Sequence, residues 1–225
     1  MEVPVAGDGS RLPWSDRADA GRALAECLGH LRDRPVVVLG LPRGGVPVAA
    51  AVAAALAAPL DVIVVRKVGV PGQPELAMGA VGEDGVRVVE DAIRLRSGTD
   101  EAAYAAAEQR ARVELETRAA RLRAVRARVD LQDRVAVVVD DGLATGATAR
   151  AACRVARAHG ARWVVLAVPV GPESALRRFD AADGVVCPAL IRRFRAVGDH
   201  YRDFRPTTDV EVEALLREAV ARTGG

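Results

Sequence analysis

Short, nearly unbroken apolar runs rich in valine recur along this chain, and each gives way to a turn and then to residues at helical spacing. The runs fall at 35–41, 60–66, 134–140, 162–169 and 184–188, and the helical stretches at 16–32, 46–58, 147–159 and 172–181. A strand with no polar alternation has both faces buried, which requires helices on both sides of its sheet. Strand and helix taking turns in this way predicts an α/β fold with a doubly wound, mostly parallel sheet. At 225 residues, half of them hydrophobic, the chain suits a single domain spanning 1–225, or one domain with a sizeable insertion.

The insertion is expected at 67–129, between two of the strands. Gly69, Pro71, Gly72 and Pro74 predict a mobile loop over 67–77, in which Glu75 reads as a solvated acid, with a base or metal contact as the alternative. Residues 78–82 and 86–90 read as a hairpin. A long helix is expected over 100–129, its apolar stripe running through Tyr104, Ala107, Ala111, Leu115, Ala119, Leu122, Val125 and Val129. Glu108–Arg112 and Glu114–Arg118 have the spacing of ion pairs on a solvated helix face. The last helix is expected from Thr208, where Thr208 and Glu211 have capping-box spacing.

Charge narrows the function. Thirty-two basic residues against 30 acidic leave +2 overall, which speaks against a polybasic arm or an acidic tail. Three scattered cysteines suit neither a disulfide framework nor a CxxC metal site, so a reducing, cytoplasmic setting is expected. No apolar run reaches membrane-spanning length and no export signal is evident at the N-terminus.

The sharpest motif is the run from Val135 to Thr148, in which a buried strand ends in Asp140 and Asp141 and a glycine loop leads into a helix. Ligands of open α/β sheets bind outside the carboxyl ends of strands. A helix start with Ala144, Thr145, Gly146, Ala147 and Thr148 around it offers backbone N–H groups, a positive dipole end and two hydroxyls, a cradle for one phosphate. It lacks the lysine of a Walker loop and the GxGxxG of a dinucleotide site. Two acids beside a phosphate repel it unless they hold something else, and neighbouring sugar hydroxyls are suitable donors to them. A turn cap needs one acid, not two beside a threonine-bearing loop. Arg43, Gly44 and Gly45 end another buried strand and form a second candidate anion loop, which taken alone reads equally as an ordinary turn.

The stretch Val-Asp-Asp-Gly-Leu-Ala-Thr-Gly-Ala-Thr resembles the phosphoribosyl-pyrophosphate (PRPP) motif of type I phosphoribosyltransferases, closest to the adenine-type enzymes. The likeness extends over roughly 13–210 and is strongest to bacterial phosphoribosyltransferase-like proteins of unassigned substrate. It implies a five-stranded parallel core, a flexible active-site loop and a small C-terminal hood at about 189–207. It implies that Asp140 and Asp141 hold the ribose hydroxyls directly or through Mg²⁺, and that 144–148 bind the 5-phosphate. Arg43, Gly44, Gly45, Arg66 and Lys67 would take the pyrophosphate, with a non-proline cis peptide between Pro42 and Arg43. Lys67 is the only lysine in the sequence, and a compact, flexible ammonium suits a departing phosphate; chance placement is the alternative.

The reaction so implied is displacement at the anomeric carbon of PRPP by a nitrogen base such as a purine, with no covalent nucleophile. Phe194, Val197 and Tyr201 faintly resemble the base-stacking hood of hypoxanthine-type enzymes, although Ala144 stands where those carry an aspartate; core packing is the other reading of these side chains. Homodimers are common in the family, no membrane partner is implied, and nucleic acid is a weak prospect. The competing expectation is a PRPP-sensing regulator of the same fold, with the arginines of the long helix as a nucleic-acid surface.

Overall fold

The structure is a computed structural model; it describes the backbone of residues 12–223 and the side chains of all of these except Pro74, Glu75 and Thr223. Helix α1 (Arg17–Cys27) is capped by Asp16, whose carboxylate accepts from the Asp19 N–H. It leads to strand β1 (Val36–Gly40), helix α2 (Gly45–Leu56) and strand β2 (Leu60–Val62). An inserted sheet follows, made of β3 (Val65–Val70), β4 (Gln73–Gly82) and β5 (Arg87–Val89), and then α3 (Asp91–Arg96) and the long α4 (Glu101–Arg123). The chain returns through β6 (Val135–Val139), α5 (Ala147–Ala158), β7 (Trp163–Ala167), β8 (Val170–Pro172), α6 (Glu173–Leu176), β9 (Gly184–Val186), β10 (Ala189–Ile191) and α7 (Asp209–Thr223).

The central sheet has five parallel strands in the order β2-β1-β6-β7-β9. Its valines divide by parity, as the period of a strand demands. Val38, Val137, Val139 and Val165 pack under α1, α2, α4 and α7 on one face. Val37, Leu39, Ala136, Val138 and Leu166 pack under α5 on the other. The doubly wound reading therefore holds, and its physical reason is visible strand by strand.

From β1 the chain moves outward to β2, and after the insertion it resumes on the opposite side of β1 with β6. The order reverses between β1 and β6, and that reversal opens a crevice at their carboxyl ends. Both candidate loops start there. The Leu41 N–H donates to the Val139 carbonyl at 2.8 Å, tying the loop starts together.

Several expectations change. The run at 60–66 is not one strand: β2 pairs with β1 only from Leu60 to Val62, because β1 ends at Gly40 and offers no further partner. The chain turns instead into the antiparallel sheet β3-β4-β5. The loop expected at 67–77 is a strand pair, with its register shift at Gly69 and its turn at Pro71-Gly72, where Gly72 takes a φ of 78°. Glycine and proline suit a bulge and a tight turn as well as a loop, and composition alone does not separate the two. The long helix ends at Arg123 rather than 129, and the helix expected over 172–181 is the single turn α6. The capping box at α7 forms as expected: Glu211 accepts from the Thr208 N–H at 2.6 Å, and Thr208 Oγ1 accepts from the Glu211 N–H at 3.2 Å.

One buried ion cluster fastens the insertion to the core. Asp61 in β2 is fully buried. Arg123, the last residue of α4, donates to Asp61 Oδ1 at 2.6 Å, to both oxygens of Glu83 at 2.6 and 2.7 Å, and to the Val62 carbonyl at 3.0 Å. The other Asp61 oxygen accepts from the Val129 N–H at 2.9 Å. No described helix is long and apolar enough to cross a membrane.

Candidate active site

The two expected loops meet. A Cβ on Gly44 would overlap the carboxylate of Asp141, and one on Gly45 would lie 2.5 Å from the Val139 carbonyl. The double glycine is thus needed for the close approach of the β1 loop to the acidic pair. The peptide between Pro42 and Arg43 is cis.

Asp140 and Asp141 are partly buried at the mouth of the crevice, and the Asp141 N–H donates to Asp140 Oδ1 at 2.9 Å. They differ in company. Arg17, in the first turn of α1, places Nε and Nη2 at 2.9 and 2.8 Å from Asp141 Oδ2. Asp140 has no ion pair among the described residues. Burial, and then the charge of Asp141, push the Asp140 carboxyl well above the ordinary carboxylate range. Burial also raises Asp141, against the opposing pull of Arg17.

Nothing in the sequence singles out Arg17. Its Nη1 donates to the Arg205 carbonyl at 2.8 Å and its guanidinium lies 4.0 Å from the centre of the Phe204 ring. It thereby joins the N-terminal helix, the acidic loop and the segment before α7.

Beyond the acids, Gly146 takes a φ of 75° and turns the chain into α5, while Ala144, Thr145 and Thr148 stand exposed around the helix start. Leu143 and Phe179 pack beneath Gly146, fixing the height of the cradle. The hood lies on the same edge, with β10 pairing β8 in parallel. Val197 roofs Gly142, where a Cβ would lie 2.5 Å from Val197 Cγ1. Phe194 is partly buried and stacks on His200 at 5.5 Å. Tyr201 is buried against Phe204 and its hydroxyl donates to the Asp141 carbonyl at 2.5 Å, so here it braces the acidic loop.

Arg43 and Arg66 come together in a cleft of about 610 Å³ between the β1–α2 loop, β3, α4 and α7. Lys67, one step further along β3, has its side chain on the other face of that strand. Glu75 falls outside the described side chains. On α4 the Glu108–Arg112 pair forms at 2.7 Å, whereas Glu114 turns to Arg66 at 3.5 Å instead of to Arg118.

Two carboxylates alone suit a magnesium ion, which keeps several waters and takes its remaining oxygens from substrate phosphates. The described residues contain no group of three or more side chains that would hold a metal by themselves. Donors of this kind fit an ion that arrives with its substrate.

Comparison with known proteins agrees with this geometry. A family model described as phosphoribosyl transferase domain matches residues 16–190, from the start of α1 into the hood. Proteins of two Mycobacterium tuberculosis strains, provisionally named phosphoribosyl transferases, are 58% identical over 207 residues, covering 92% of this chain and 47% of theirs. The chain thus spans about half the length of the curated relatives it matches. Among solved structures, the protein TT1426 from Thermus thermophilus superposes with a TM-score of 0.86 at 46% identity, covering 92% of this chain and 99% of that one. With its acidic pair, its double-glycine loop and the five-stranded sheet that sets them side by side, the chain belongs to the phosphoribosyl transferase domain family.

Proposed function

We propose that the chain transfers the 5-phosphoribosyl group of PRPP to a nitrogen base and releases pyrophosphate. The observation that carries this reading is the contact between the two loops: the Asp141 carboxylate leans on Gly44 at the sheet's reversal point. One crevice then offers acceptors for sugar hydroxyls, a helix start for a phosphate and a glycine loop with arginines for a second anion.

In this mechanism the base nitrogen donates its lone pair to form the new bond to the anomeric carbon while the carbon–oxygen bond to pyrophosphate breaks. Pyrophosphate leaves with the electrons of that broken bond, and the proton of the base nitrogen passes to pyrophosphate or solvent. Positive charge gathers on the ribosyl ring in the transition state. Asp140 and Asp141 face that charge and hold the hydroxyls, so they orient the sugar and stabilise the ring together. Arg17 fixes the Asp141 carboxylate in one orientation before substrate arrives. The N–H groups at the start of α5, with Thr145 and Thr148, hold the 5-phosphate and keep the sugar from turning. Arg43 and Arg66 draw charge from the leaving pyrophosphate. Asp140 and Asp141 are the residues that would hold Mg²⁺, which would supply further neutralisation of that leaving group. Phe194 and Val197 border the space for the base, which we take to be a purine or another planar nitrogen acceptor.

The test is a panel of nucleobases incubated with PRPP and Mg²⁺, read by pyrophosphate release. Release that depends on one added base is expected. Tight PRPP binding with silence across purines and pyrimidines would replace the enzyme with a PRPP-sensing protein of the same fold.

A further inference from the structure

Four arginines, Arg43, Arg66, Arg118 and Arg121, line the cleft beside the β1–α2 loop, against two acids, Glu114 and Asp209. Both acids are already engaged. Glu114 lies 3.5 Å from Arg66, while Asp209 lies 3.0 Å from Arg121 and 3.9 Å from Arg43. Arg118 is left without a hydrogen bond or ion pair to any described residue, although it is partly buried. Arg66 Nε is buried and unbonded in the same cleft. We propose, on the phosphoribosyltransferase reading above, that Arg118 binds the leaving pyrophosphate, completing with Arg43 and Arg66 an anion pocket that α4 contributes to the site.

Like charges facing one another across a partly buried cleft repel, and an anion between them removes the repulsion. Burial, and then the Arg66 charge, lower the affinity of Arg118 for its proton, with Asp209 opposing and Arg43 adding to the effect. Asp209, held between two of the arginines, shows that a carboxylate is already drawn to the cleft. The wall of the cleft is Pro42-Arg43, and the next residue, Gly44, touches the Asp141 carboxylate. An anion released from a sugar held by the acidic pair therefore meets the cleft across one loop. Pyrophosphate has linked phosphate groups whose many acceptor oxygens match several guanidinium forks at once.

The experiment is calorimetric titration of inorganic pyrophosphate and, separately, of ribose 5-phosphate at fixed ionic strength. The proteins are the wild type, Arg118→Gln, Arg118→Lys and the exposed control Arg110→Gln. Arg118→Gln should bind pyrophosphate about tenfold more weakly with ribose 5-phosphate affinity unchanged. Arg118→Lys, which keeps the charge but not the fork, should lose less affinity than Arg118→Gln, and Arg110→Gln should lose none. Pyrophosphate binding by Arg118→Gln at wild-type strength overturns the proposal, and so does an equal loss in Arg110→Gln. Wild-type binding of ribose 5-phosphate without pyrophosphate sinks this inference alone. Wild-type binding of neither sinks the phosphoribosyl reading beneath it as well.

Discussion

Replacing Arg123 by methionine should cost about 3–5 kcal/mol of folding stability, measured by urea unfolding. The residue ends α4 and reaches Asp61, Glu83 and the Val62 carbonyl from one guanidinium. Without it, Asp61 keeps only main-chain donors, the Val62 and Val129 N–H groups, at a position closed to water. Burial already raises the Asp61 pKa more than Arg123 and its other partners lower it. Losing Arg123 removes the largest of those opposing influences, so Asp61 should take up a proton in the folded variant. The variant's deficit should accordingly shrink as pH falls. Asp61→Asn placed in the Arg123→Met background should recover part of the loss, because it removes the unpaired charge and keeps an acceptor of similar shape. Arg123→Lys should not match wild type, since one ammonium cannot span two carboxylates and a carbonyl in fork geometry. A loss below about 1 kcal/mol for Arg123→Met would mean that the cluster adds nothing beyond an exposed ion pair. The consequence reaches function, because this cluster fastens the insertion whose β3 and α4 carry Arg66 and Arg118.

What could be read in advance follows from how far each signal travels along the chain. Val135 to Val139 show their strand by composition, and Asp140 to Thr148 show their loop and helix start by residue order, all within one short segment. The same holds for Arg43-Gly44-Gly45, and the contact of the two loops then follows from a parallel sheet that reverses between β1 and β6. Arg17 was illegible because its partner lies 124 residues away, and nothing in a run of alanines and arginines marks one arginine as special. Arg118 shares that difficulty: it is one of many arginines on α4, and Glu114 four residues before it looks like its partner in sequence. The structure sends Glu114 to Arg66 instead. Gly69 and Pro71-Gly72 misled for a different reason, since the same residues serve a loop, a bulge and a hairpin turn. Tyr201 stood out as an aromatic in the hood, but its hydroxyl bond to the Asp141 carbonyl depends on tertiary placement that no spacing shows.

Asp140→Asn should lower phosphoribosyl transfer by about a hundredfold or more while making the folded chain more stable at neutral pH. The two effects share a cause. In the fold, burial and the neighbouring Asp141 charge raise the Asp140 pKa, so the native state holds that proton more tightly than the unfolded chain does. Stability contributed by this group is therefore greatest at low pH. It declines as pH rises from the ordinary carboxylate range through the raised value, and above that the ionised acid is a standing cost. Asparagine removes the charge and keeps an oxygen for the Asp141 N–H, so the local hydrogen bond survives. The variant's melting temperature should exceed that of wild type at pH 7, and the gap should close as pH falls toward the range where Asp140 is protonated in both states. The catalytic loss arises because an amide neither faces the positive ribosyl ring with a full charge nor accepts from both hydroxyls. Melting curves across pH, paired with pyrophosphate-release rates, separate the possibilities. A variant that melts at or below wild type at neutral pH would show that Asp140 is no strained acid. A variant of unchanged turnover would remove it from the site. The opposite signs predicted for stability and activity are what distinguish an acid kept for a ligand from one kept for the fold.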